Sequence, residues 1–112
     1  MMSTETIYLG EFEELVLLAV AGLGENAYGM KIRQAIEEIG GRFTSIGAVY
    51  ATLDRLEGKG YVSSEYGEAT AERGGRAKRY FRIEERGSKA LDNAEGTRAR
   101  IRRELSVELK PA

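Results

Sequence analysis

Six cations crowd one short stretch of this chain. Between positions 73 and 86, Arg73, Arg76, Lys78, Arg79, Arg82 and Arg86 face only Glu84 and Glu85, a local charge of +4 in a protein whose formal net charge is -1. Arginine outnumbers lysine twelve to five over the whole chain. A guanidinium fork matches paired phosphate oxygens and the major-groove edge of guanine better than an ammonium does, so the chemistry these residues suit is anion and nucleic-acid recognition. The competing reading is a solvated face laced by surface ion pairs.

A second group lies at 44–58, where Ile46, Val49, Leu53 and Leu56 share one side of a helical wheel. Away from that side fall Thr44, Gly47, Ala48, Ala51 and Arg55, with Ser45 and Thr52 on one flank and Tyr50 on the other. Such a surface is nearly free of bulk. It lets a backbone approach base edges, offers Ala methyls to thymine methyls, and places Thr, Ser, Tyr and Arg donors within reach of bases or phosphates. Asp54 points outward as well, so contact is expected to concentrate in the N-terminal half, where free helix amides assist. Tyr50 has an equally good reading as a ring packed on the domain edge, and Arg55 as a bridge to Glu57, Glu37 or Glu38.

Catalysis has little to work with. There is no cysteine and no histidine, which removes thiolate nucleophiles, thiolate zinc sites, the commonest general base and the commonest metal ligand. No carboxylate pair sits in a pocket-forming motif. The expectation is therefore no catalytic residue, no metal, no cofactor and no enzyme, with binding as the output.

The 112 residues, 42% of them hydrophobic, suit a single domain over 1–112 that buries a core without crosslinks. The one strongly apolar run, 15–23, is far shorter than the roughly 20 residues of a membrane helix. No basic residue precedes Lys31, and Glu11, Glu13 and Glu14 flank the run, which does not fit a signal peptide. A cytoplasmic protein without membrane contact is expected.

Periodicity supplies the elements that must hold these groups. Phe12, Leu15, Val16, Ala19 and Leu23 recur at helical spacing over 11–23, and Tyr28, Ile32, Ala35, Ile36 and Ile39 over 28–39 before Gly40-Gly41. A third helix follows Thr44 or Ser45. Two strand-like segments at 61–66 and 78–83 flank a polar, glycine-bearing stretch, predicting a hairpin with a long basic tip. A last helix begins at Glu84 or Glu85, with Leu91, Ala94, Arg98, Ile101 and Leu105 as a stripe too thin to form a core alone. Phe12, Tyr28, Phe43, Tyr61 and Phe81 are read as core aromatics.

Three helices, a hairpin and a lone amphipathic helix make a mainly α chain with a small β-hairpin, an α+β class, in the order of a winged helix-turn-helix followed by a C-terminal helix. Such a fold either reads DNA or contacts only protein, and fold alone does not separate the two. Gly47-Ala48-Val49-Tyr50 with Leu53, Arg55, Leu56, Glu57 and Gly60, then Gly74-Gly75-Arg76-Ala77-Lys78-Arg79-Tyr80-Phe81-Arg82-Ile83 and Gly87, resemble the paired signature of the PadR family of transcriptional regulators.

The resemblance implies a homodimeric regulator, often a repressor released by a small molecule, bound to pseudo-palindromic double-stranded operator DNA. It divides the chain into a DNA-binding core at 8–84 and a dimerisation helix at 85–109. DNA contacts then fall to Thr44, Ser45, Gly47, Ala48, Tyr50, Ala51, Thr52 and Arg55 in helix 44–58, and to Arg73, Arg76 and Lys78 in a basic wing at 67–79. Dimerisation falls to Phe12, Leu91, Ala94, Arg98, Ile101 and Leu105. By the same analogy a small aromatic or hydrophobic effector would lie between the first and last helices, near Tyr8, Leu9, Phe12 or Leu91. Two positions depart from the family pattern: Ala27-Tyr28-Gly29 replaces His-Gly-Tyr, and Glu84 stands where a Thr commonly opens the last helix.

Overall fold

A computed structural model describes residues 8–67 and 77–110. Its elements run α1 (Glu11–Leu23), a 3-10 turn (Gly24–Asn26), α2 (Gly29–Glu38), α3 (Ile46–Gly58), β1 (Val62–Tyr66), β2 (Arg79–Ile83) and α4 (Glu85–Glu104).

Helix α1 is the hub, packed against α2, α3, α4 and β2. Its innermost residues are Val16, Leu17 and Val20, while Phe12, Leu15, Ala19 and Leu23 are only partly buried. The inward stripe is thus rotated from the expected one, because neighbours on several sides cover a helix that is apolar almost all round.

Helix α2 is a residue shorter at each end than its periodicity predicts. Tyr28 stays extended and forms a single antiparallel bridge with Tyr80, beside a 2.8 Å bond from the Phe81 amide to the Ala27 carbonyl. At the far end the amides of Gly41 and Arg42 bond the carbonyls of Glu37 and Ile36, with Gly41 at φ 67°. The Gly41 bond is an αL closure, and the left-handed residue it requires is a glycine. Ile39, expected inward, lies beyond the last helical turn and is 87% exposed.

Ser45 caps α3, its Oγ accepting from the Ala48 amide at 3.1 Å. Val49, Leu53 and Leu56 are fully buried, but Ile46 is exposed, so the buried face begins only in the second turn. The hairpin is antiparallel, with Val62 opposite Ile83, Ser64 opposite Phe81 and Tyr66 opposite Arg79. Val62 and Phe81 join the core, β1 packing on α3 and β2 on α1.

Helix α4 docks by its first turns: Gly87, Ala90 and Leu91 are buried. A Cβ at Gly87 would overlap the Tyr61 carbonyl oxygen, so only glycine admits this close approach. No helix among the described residues is long and apolar enough to cross a membrane, and no group of His, Cys, Asp or Glu among them could hold a metal ion.

Candidate nucleic-acid interface

The outward surface of α3 is made by Gly47, Ala48 and Ala51, all exposed, with Ser45 at the cap. Thr52 is a correction to the expected surface. It is 2% exposed and faces the core side, where its Oγ1 accepts from Arg55 at 3.1 Å, so its side chain is not available to a groove. Thr44 is also nearly buried, its amide donating to the Glu37 carboxylate at 3.3 Å. Tyr50 takes the packed reading: its ring lies over Gly29, where a Cβ would come within 2.5 Å of it, and it meets Phe81 at 6.4 Å between centroids.

Arg55 is exposed, but its charge is answered. The partner is none of the three carboxylates the sequence suggested; it is Glu13 of α1, 3.6 Å away. Glu13 also accepts from Lys59 Nζ at 3.1 Å and from the Gly10 amide at 2.9 Å. Burial works against its charge, yet the Gly10 amide, Lys59 and Arg55 outweigh it, and the carboxyl is held below its ordinary pKa of 4.5.

At the base of the wing, Arg79 reaches back to α3. It bonds Glu57 at 2.6 Å, Asp54 at 3.3 Å and Ser64 Oγ at 3.1 Å, and its guanidinium stands 4.8 Å from the Phe81 ring. Burial opposes that charge too, but Glu57 and Asp54 raise the pKa of Arg79 above its usual value. The charge of Asp54, a liability beside phosphate, is thereby paired within the fold. Lys78 is half-buried, its ammonium 3.8 Å from the centre of the Tyr28 ring. Arg73 and Arg76, the other expected wing contacts, lie outside the described residues.

The expected dimerisation residues divide. Leu91 belongs to the core of the chain itself, and Ala94 and Phe12 are half-buried, Phe12 beneath the Arg42 guanidinium at 5.7 Å. Arg98 makes two 2.6 Å bonds to Glu14, clamping α4 to α1. Beyond that clamp Ile101 and Leu105 are exposed, Leu105 by 71%. A groove of about 660 Å³ opens elsewhere, between the end of α1, the 3-10 turn and the hairpin, lined in part by Val20, Asn26, Ser64 and Phe81. None of Tyr8, Leu9, Phe12 or Leu91 lines it.

Sequence reasoning missed Glu13, Lys59 and Arg79 as the groups that hold this surface together, and it placed Phe43 in the core although the ring is 84% exposed. Glu13 and Lys59 are 46 positions apart, Arg79 and Glu57 are 22 apart, and no local pattern joins them.

Comparison with known proteins agrees with this architecture. Residues 17–93 match the Transcriptional regulator PadR-like family. Among solved structures the chain is similar to a PadR-like transcription factor from Bacteroides fragilis, with a TM-score of 0.72 and 23% identity over 85% of this chain and 86% of that one. It is also similar to a PadR family transcription regulator from Clostridium difficile (TM-score 0.66, 19% identity, 85% and 95% covered) and to a PadR-like regulator from Bacillus cereus (0.66, 18%, 85% and 87%). At those identities the likeness speaks for the fold. No curated protein matches.

Proposed function

The chain belongs to the PadR-like family of transcriptional regulators and so is a non-enzymatic, DNA-binding regulator, and we propose that it acts as a homodimeric repressor on a pseudo-palindromic operator. In this reading residues 8–84 form the DNA-binding core, 85–109 the dimerisation helix, and the whole of 1–112 one domain working in the cytoplasm. The observation that carries it is the outer face of α3, where Gly47, Ala48 and Ala51 are exposed and leave the backbone uncovered. A helix without bulk on one side fits a major groove, and helix amides near Ser45 add donors for phosphate.

Ser45, Gly47, Ala48, Ala51 and Arg55 then face the DNA from α3, and Thr44, buried with its amide bonded to Glu37, acts indirectly by fixing the turn that leads into the cap. Tyr50 serves as a prop for the helix, its ring and hydroxyl both packed over Gly29. Arg73, Arg76 and Lys78 hold phosphates, which strengthens binding without reading sequence. Lys78 is stacked on Tyr28, so it is presented by a fixed aromatic support. Ile101 and Leu105 extend the α4 stripe past the protomer's own core, which supports a second copy as their cover. In such a dimer the two α3 helices stand roughly 34 Å apart, one turn of DNA. A hydrophobic effector between α1 and α4 remains part of the proposal through Phe12 and its neighbours. Family membership favours DNA as the partner over a protein-only winged helix.

Titration of operator DNA by fluorescence anisotropy across a salt series tests the mode of binding. The expected outcome is a steep fall in affinity with salt, with Arg76→Ala or Lys78→Ala each flattening the slope by about one unit per protomer and weakening all sequences alike. A slope unchanged in both variants would remove the wing from the interface.

A further inference from the structure

The segment joining α2 to α3 is tied down at almost every position. Gly41 and Arg42 close α2 through backbone bonds, the Arg42 guanidinium pairs with Glu11 at 3.0 Å, the Thr44 amide bonds Glu37, and Ser45 caps α3. Glu37 is itself held by Arg33 at 2.8 Å. Phe43 stands apart: its ring is 84% exposed and has no aromatic or cationic neighbour among the described residues. Phe43 stands two residues before the Ser45 cap of α3, exposed like Arg42 and Ser45 while Thr44 between them turns inward, so the ring lies in solvent at the start of that helix. Nor is it a stray apolar residue, since Ile39 and Ile46, exposed on either side of it in sequence, make this end of the helix pair unusually apolar.

Resting on the reading of α3 as the DNA-contacting helix, we propose that Phe43 is a specificity-determining residue, its ring seated against a thymine 5-methyl group at the edge of each half-site. The thymine methyl is the apolar group that the major groove displays, and an aromatic ring is one of the side chains that meets it. The pinned turn fixes the backbone that carries the ring before DNA arrives, so the freedom lost on contact is confined to the ring's own rotamers. Because the ring is unpacked in the free protein, removing it leaves the fold unchanged.

The test couples a protein change to the removal of one methyl group. Binding sites are first selected by the wild-type chain from random-sequence duplexes. Each thymine of one half-site is then replaced singly by deoxyuridine, and affinity is measured for wild type, Phe43→Ala and Phe43→Leu. One thymine should stand out, its replacement weakening wild type by about fourfold, the worth of one buried methyl. Phe43→Ala should bind the selected site more weakly, be indifferent to the change at that thymine and melt with wild type, while Phe43→Leu keeps part of the penalty. The proposal is overturned if Phe43→Ala binds like wild type, which would leave the Ile39–Phe43 end as a contact for protein, or if every thymine keeps its full penalty in the variant. Failure of the underlying reading is distinct: wild type would then enrich no sequence from the pool.

Discussion

Glu13 shows how much of this surface depends on single groups. One carboxylate at the start of α1 receives the Gly10 amide, Lys59 and Arg55, tying the first helix to the end of the third. Its folded-state pKa is depressed, so the stabilisation is fully present above the ordinary value of 4.5 and is lost as pH falls through the lower folded value. Thermal melts of wild type and Glu13→Gln should therefore differ most near neutral pH, with wild type the more stable, and begin to converge only below pH 4.5, as pH falls through the lowered folded value. A gap that persists undiminished into acid would assign the effect of Glu13 to packing rather than charge. Residue types were legible in sequence here only where local rules apply: Ser45 as a cap and Gly41 as a helix terminator follow from neighbours in the chain. The burial of Thr52 and the exposure of Phe43 were not legible, because a wheel gives angles around α3 but not which neighbouring element reaches each angle.

Between elements, the decisive tie is Arg79, which fastens the wing strand β2 to α3 through Glu57 and Asp54. Its side chain and that of Glu57 are both largely shielded, so Arg79→Ala should cost about 1–2 kcal/mol of stability, less than a dry charged bond because water still screens the pair. It should also weaken DNA binding although the group faces inward, with Arg79→Lys intermediate because an ammonium cannot bond two carboxylates and Ser64 as a planar fork does. Chemical denaturation beside DNA titration reads both, and wild-type stability in Arg79→Ala would show the wing to be held by backbone pairing alone. Order and type of the elements were readable from the sequence, since α1, α2, α3 and the strands each carry their own periodicity. Their ends were less so. Tyr28 left α2 to bridge Tyr80, a pairing partner 52 positions away that no helical spacing announces.

At the scale of the molecule, charge is sorted by region: residues 1–41 carry two cations and seven carboxylates, 42–86 nine and seven, and 87–112 six and four. The acidic first third contributes the hub helix, whose Glu13 and Glu14 anchor α3 and α4, while positive charge gathers at the wing. A nearly neutral chain of this kind depends on where its cations stand rather than on their sum. The Arg98–Glu14 clamp sets the direction in which α4 leaves the body, and with it the placing of Ile101 and Leu105. The central claim is that the small face of α3 enters DNA. Its most direct test puts a carboxylate there: Ala48→Glu adds charge and bulk at an exposed position without touching the core. Anisotropy titration against the selected operator should show wild type saturating at two chains per duplex, and Ala48→Glu, folded to the same melting temperature, losing at least a hundredfold in affinity, or about 2.7 kcal/mol. Wild-type affinity in a folded Ala48→Glu protein would contradict the account.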